Sequence, residues 1–382
     1  MLSFLFLVIV VVVSFLKNRN SGINTVLILT LYFILAFEHS DQDYMSYLTA
    51  YNEVGEGRNL LLGYEPAFLW FCELGNEYHL TFDQARCIVC IFEIFAIVAT
   101  IKSVTPSIGL VLSLFCVYPC LQNAELFRWM VAMSIIIFAL RFIIRAQSRK
   151  DYALYTLLVI VASTMHTSCL FFMLFLLTAL NSKKFIAYFA GCSILFSLIT
   201  TQISLFYRIL GFLGVSEFLV DKFSEMNGLN AFGMVSMILK DLLIFYIGYI
   251  SIERAKHVLF NCDNNNYFRV NTQKISTVCN DMGFLLCSKL YYFNVLSLII
   301  FAVGFHFPHA QRLLDVLLFI NLLAVAYLND ISPWKIGIRK TVISTTVLFF
   351  CHLLSGSQNL DIFMSHFREG FLVNLFGCIF NN

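Results

Sequence analysis

The chain has 382 residues, of which 59% are hydrophobic, 13% are charged and 41 are phenylalanine, with a formal net charge of +2. No water-soluble fold hides that much apolar surface, and the charged share is about half that of soluble chains, so an integral membrane protein is expected. The small net charge, with no stretch that concentrates Lys and Arg among aromatics, excludes nucleic acid as a partner.

Apolar segments near the length that crosses a hydrocarbon core recur from end to end. They predict one all-α, polytopic membrane domain over 1–382, with no separate globular unit. The first segment, 2–16, lacks a basic leading region and a small-residue cleavage site, so a retained helix is expected rather than a removed signal. A second follows at 23–37. Then comes an outer loop, 38–83, whose first part carries Glu38, Asp41, Asp43, Glu53, Glu56 and Glu65 against Arg58 alone. Tyr44, Tyr47, Tyr51 and Tyr64 stand among these acids. The spacing of Tyr44, Tyr47 and Tyr51 puts the rings on one helix face, which predicts an amphipathic helix lying along the outer surface. The next stretch, EPAFLWFCELGNEYH, is too short to span and reads as an interfacial or re-entrant helix with Pro66 in its first turn.

Runs at 84–101, 107–121, 126–144, 152–165, 167–180 and 185–201 continue the bundle. A polar outer loop at 202–231 precedes the run at 232–250, and a polar, Asn-rich inner loop at 251–282 precedes those at 283–303, 312–328 and 341–355. The total is about twelve spans. Alternate loops are basic: Lys17 and Arg19; Lys102; Arg141, Arg145, Arg149 and Lys150; Lys183 and Lys184; Arg254, Lys256, Arg269 and Lys274; Lys335, Arg339 and Lys340. The positive-inside rule assigns these to the cytoplasm and both termini to the outside. The 12 cysteines fall mostly inside apolar segments, where a thiol acts as a small hydrophobe. Cys87 and Cys90 form one C-x-x-C without a second pair, so packing is expected there; no metal and no cofactor is called for.

Several ionisable groups stand where lipid should exclude them. The runs 152–165 and 167–180, read as α-helices of about 14 residues, each rise roughly 21 Å and fall short of a hydrocarbon core about 30 Å thick. The turn between them, His166 to Ser168, is therefore expected to line the floor of a cavity open to the outside, since irregular backbone at that depth needs protein or water around it. Arg128 lies in the first turn of one span, Arg312 at the corresponding place on another with His306 and His309 just before it, and Arg86 begins a third. Guanidinium groups at one depth suit bidentate pairing with phosphate oxygens. The competing readings are structural: arginines snorkelling to headgroups, His166 packing against a helix end, tyrosines forming an interfacial belt. Lys240, Asp241 and Glu93 are further intramembrane charges. Lys240 and Asp241 point to different faces of their helix, where ion pairs with other helices compete with function, and Asp315 most simply pairs with Arg312.

Four ordered elements resemble the EpsG family of Wzy-like polysaccharide polymerases: DQDYMSYLTAY followed by YEPAFLWF, the arginine helix FRWMVAMSI, the H-x-S turn in MHTSCLFF, and QRLLDVLLF. They span the chain from about 40 to 330. The tail HFREGFLVNLFGCIF departs from the family pattern, and the resemblance assigns nothing to 357–382. What it implies is a bacterial inner-membrane enzyme of O-antigen, capsule or exopolysaccharide assembly, with a periplasmic-side cavity. Such an enzyme moves a growing glycan from undecaprenyl pyrophosphate to a sugar hydroxyl of another lipid-linked repeat unit. Its expected partners are undecaprenyl-pyrophosphate-linked oligosaccharides, the bilayer and a chain-length regulator. Arg128 and Arg312 would stabilise the departing pyrophosphate, and Asp41, Asp43 or His166 would take the acceptor proton. Tyr44, Tyr47 and Tyr51 would meet sugar rings, Glu65 would orient the loop or bind a sugar, and Arg86, Ser168 and His309 complete the expected substrate-binding set. A flippase for the same lipid is the alternative. The polar groups are concentrated on one side, whereas alternating access needs a site reachable from both faces.

Overall fold

A computed structural model describes residues 2–37, 42–57, 63–124, 126–180, 182–200, 231–259, 281–304 and 312–355. Among them every regular element is helical. α1 (Leu2–Leu16) turns into α2 (Ser21–Ala36), where Asn20 caps the new helix by accepting from the Ile23 amide at 3.1 Å. α3 (Gln42–Gly55) packs on α4 (Pro66–Glu77), and neither is long enough to span. α5 (Phe82–Val104) opens on a capping box in which Thr81 and Gln84 satisfy each other's backbone amides.

α6 (Ile108–Phe115) runs into a π turn (Cys116–Cys120) and a one-turn α7 (Leu121–Asn123). Pro119 lies inside that turn. It has no amide hydrogen to continue the ladder, and a break of this kind is where a proline places it. α8 (Phe127–Arg145) and α9 (Arg149–Met165) form an extensively packed hairpin, followed by a 3-10 segment over Thr167–Leu180 and then α10 (Lys183–Thr200). The rest is α11 (Ala231–Leu259), α12 (Met282–Gly304), α13 (Leu314–Ile331) and α14 (Lys335–Ser355).

The centre of the bundle is α13, on which every residue from Leu314 to Leu328 is buried. A helix apolar on all sides is stable only when other helices enclose it, and α11, α12 and α14 do so. At the perimeter the pattern inverts: Ile88, Ile91, Phe92 and Phe95 of α5 and Leu5, Phe6, Ile9 and Leu16 of α1 are exposed. In water such faces would be a liability, whereas in lipid they cost nothing.

Four described helices are long and apolar enough to cross a membrane: Phe82–Val104, Phe127–Arg145, Met282–Phe301 and Leu314–Ile331. Leu5–Leu16, Ser21–Ala36, Ile108–Asn123 and Thr167–Leu180 are shorter apolar helices. The chain is thus a helical membrane protein, while the expected count of about twelve spans is not reached among the described residues. Apolar runs counted as spans turn out broken at Pro119, wound as a 3-10 helix, or only 15 and 16 residues long, as in α1 and α2. The inner loop expected from 251 begins later, because α11 continues to Leu259. The expected loop at 202–231 lies almost wholly outside the described residues, as do most of 251–282 and the tail 357–382.

Loops of matching parity meet at one end of the bundle. Arg19, after α1, pairs with Asp330 at the end of α13 at 2.5 Å, and Thr105 and Ser107, after α5, donate to the same carboxylate. Arg254, late in α11, donates to the Ser332 hydroxyl at 2.9 Å.

Candidate functional site

Three segments far apart in sequence converge near the start of α8. Glu65 precedes Pro66, which holds it extended at φ −70°, ψ 151°, and it caps α4 without using its side chain. The carboxylate is therefore free to reach outward. It forms an ion pair with the guanidinium of Arg128, the second residue of α8, and accepts from the Thr167 amide at 3.4 Å. Thr167 opens the 3-10 segment just after His166, whose extended backbone (φ −153°, ψ 108°) ends α9.

The Arg128 guanidinium stands over Tyr64, Tyr47 and Phe68 at 5.1, 5.5 and 5.7 Å from the ring centroids, so π faces enclose it opposite its carboxylate partner. Its side chain is 22% exposed and that of Glu65 20%, which keeps the pair within reach of solvent. Arg128 Nε is buried without a hydrogen-bond partner, so the five-donor fork has unused capacity. Beside it, His166 Nδ1 lies 2.7 Å from Ser168 Oγ, and the imidazole meets Trp129 edge-on at 5.4 Å.

Arg312 lies three residues before Asp315, just before the start of α13. Burial pushes the Tyr47 phenol up from its ordinary value, while Arg128 and, more weakly, Arg312 pull it down. Tyr64 is likewise pushed up by burial and pulled down by Arg128. Asp43, on α3, acts on Tyr47 and Tyr64 in the opposite sense.

Several expectations need correction. The run after His166 is wound as a 3-10 helix, which rises about 2.0 Å per residue, so its 14 residues cover about 28 Å instead of the expected 21 Å. His166 joins the cluster through its contacts, not through a deduced depth. Tyr47 and Tyr51 do not present faces to a sugar: they are 7% and 2% exposed. Tyr51 packs on Phe71 and Phe82, and Tyr47 on Phe68 and Phe127. The aromatic face of α3 docks that helix onto α4 and the starts of α5 and α8, instead of lying on a lipid surface. Tyr44 is half-buried and donates to Asp83 at 3.0 Å. Arg86 is 2% exposed, stands over Phe127 and donates to the Ala124 carbonyl at 3.1 Å, a structural bridge between α5 and α7 rather than a substrate contact. Asp41 and His309 lie outside the described residues.

Sequence reasoning missed Tyr64, Phe68 and Trp129 as members of the cluster. Tyr64 adjoins Glu65 and Trp129 adjoins Arg128, so adjacency to the charged pair was the available signal. Among the described residues no group of His, Cys, Asp and Glu is arranged to hold a metal ion. A partly exposed guanidinium with an unpartnered Nε, beside an imidazole with a hydroxyl partner, can hold an oxyanion and accept a proton.

The sequence profile of the EpsG family matches residues 22–365, nearly the whole chain. No curated protein and no solved structure matches.

Proposed function

This chain belongs to the EpsG family, a Wzy-like polymerase family, and on that premise we propose that it lengthens a polysaccharide at the periplasmic face of a bacterial inner membrane. The donor is a glycan on undecaprenyl pyrophosphate and the acceptor a sugar hydroxyl of another lipid-linked repeat unit. The acceptor oxygen bonds to the anomeric carbon as the bond from that carbon to the phosphate oxygen breaks. The lipid pyrophosphate leaves with the electron pair, and the hydroxyl proton passes to a base.

The observation that carries this reading is the meeting of Glu65, Arg128 and Thr167 beside His166, with Arg128 only partly exposed and its Nε without a hydrogen-bond partner. Negative charge grows on the phosphate oxygens as the bond breaks, so guanidinium groups already in place stabilise the transition state more than the ground state. Glu65 holds Arg128 against the Thr167 amide and thereby sets its distance from His166. We assign the base to His166. When its Nδ1–H donates to Ser168 Oγ, Nε2 carries the lone pair and is the basic atom of the ring. Asp43 is the second choice. Tyr64 and Tyr44, both half-buried, are the rings left to meet sugar.

Arg128→Ala and Arg312→Ala are expected to insert normally and to leave surface lipid carrying at most one repeat unit, a loss of about a hundredfold or more in polymer. Long-chain polymer from both variants would overturn the assignment. His166→Ala is expected to abolish polymer as well, and unchanged polymer there would return the base to Asp43.

A further inference from the structure

The part of Arg128 that an incoming anion would use is already taken. Its guanidinium is packed against the rings of Tyr64, Tyr47 and Phe68, at 5.1, 5.5 and 5.7 Å from their centroids. Rings of this kind hold the cation through their faces and leave its N–H edges to bind oxygen. Nε is buried, so a ligand arriving from outside meets the terminal nitrogens, and Nη1 already donates to Glu65. The two side chains are 22% and 20% exposed, which puts the pair itself within a ligand's reach.

Glu65 is held only lightly by its other contact. It accepts from the Thr167 amide at 3.4 Å, beyond the usual range for such a bond. It occupies the N-cap position of α4, a helix of 12 residues, and its side chain makes no cap hydrogen bond. The positive end of the helix dipole favours a carboxylate at this place whether or not Arg128 is paired with it. A carboxylate that lets go of Arg128 therefore keeps the Thr167 amide and the end of α4. A diphosphate carries more negative charge than a carboxylate and offers a guanidinium two oxygens at once. The exchange still leaves two anions beside one cation, and like charges at close range lower the affinity for the newcomer.

We propose that the Glu65–Arg128 ion pair is a self-inhibitory latch. Glu65 holds the guanidinium in place while the site is empty, and the anionic head of a lipid-linked substrate must displace the carboxylate from Nη1. This rests on the reading of Arg128 as a ligand of the lipid diphosphate. The latch also acts after the transfer. The spent lipid leaves with the same diphosphate head, and the returning carboxylate helps to expel it, so the site trades affinity for product release.

The test uses the purified full-length chain in detergent, with inorganic pyrophosphate as the probe and binding read by isothermal titration calorimetry. Glu65→Gln keeps a hydrogen-bonding group of the same size without the charge, and it binds pyrophosphate about fivefold more tightly than the parent. A merely structural role for Glu65 would leave the affinity of that variant unchanged or weaken it, and either result overturns the proposal. Glu65→Asp keeps the charge and binds within about twofold of the parent; tightening equal to that of Glu65→Gln overturns the proposal as well. If Glu65→Gln does not accumulate, the parent decides through its infrared difference spectrum on adding pyrophosphate. A shifted carboxylate stretch that is altered in Glu65→Asp supports the exchange, and an unchanged stretch overturns it. Arg128→Gln, run alongside, separates the two readings. Its loss of pyrophosphate binding upholds the outer site while the Glu65 series judges the latch, and parent-like binding removes the premise of both.

Discussion

Tyr51 donates its hydroxyl to the Leu80 carbonyl at 2.8 Å, and Asn76 donates to the Tyr51 carbonyl at 2.9 Å, so this residue ties α3 to the C-terminal end of α4 and the turn after it. Gly75 faces it, and a methyl group there would collide with the Tyr51 ring. Tyr51→Phe is expected to cost about 1 kcal/mol of stability while polymer length stays unchanged. Gly75→Ala is expected to cost more, about 1–3 kcal/mol, because the small residue permits the close approach of the two helices. Thermal unfolding in detergent beside a polymer ladder checks both, and loss of polymer from a stable Tyr51→Phe protein would restore a sugar-binding role to this ring. The sequence displayed tyrosines at helical spacing, but spacing defines a face and not its partner. Lipid, sugar and a neighbouring helix all suit an aromatic face, and only the packing of α4 decides among them. Arg128 was legible because a guanidinium near the start of a span is conspicuous in itself. Its carboxylate partner was not, since Glu65 is one of six acids in the same stretch.

At the scale of elements, the α8–α9 turn shows how a short signal fixes a hairpin. Asp151 forms a capping box with Ser148, accepts from the Gln147 amide at 3.2 Å and pairs with Arg145 at 2.6 Å. The Arg145 hydrogen bond, aided by Ser148, holds this carboxyl down at about 2 from its ordinary 3.8. The folded-state value is the lower one. The stabilisation is therefore complete above the ordinary value and is lost as pH falls through about 2. Asp151→Asn is expected to lower stability by about 1 kcal/mol at neutral pH, with the gap to the parent closing on acidification toward that value. A gap that persists in strong acid would show that the turn is held by packing instead. Ser148 and Asp151 stand three residues apart, the spacing of a capping box. The 3-10 winding of Thr167–Leu180 has no such local sign, because an unbroken apolar run carries no periodicity to separate 3.0 from 3.6 residues per turn.

For the whole molecule, the rival reading is a transporter of the same lipid, and loss of the protein separates the two. Deletion of a polymerase leaves single repeat units at the surface, whereas deletion of a flippase leaves none. Single repeats are the expected outcome, read from extracted surface lipid by gel; their absence would favour transport. The clustering of Arg19, Thr105, Ser107 and Arg254 with the end of α13 gathers loops of one parity at one end of the bundle.

By itself the sequence determined the solvent this protein lives in, its helical class and its family. Apolar run length reports a membrane wherever the chain goes, and the four motifs are local strings. Tertiary structure alone decided which charges meet. Glu65, Arg128 and Thr167 lie 63 and 102 residues apart, and Asn123 meets Asp315 across 192 residues. Such pairs form because buried charges in a low dielectric must find one another, and which ones do so depends on how the helices pack, a relation that no local pattern records.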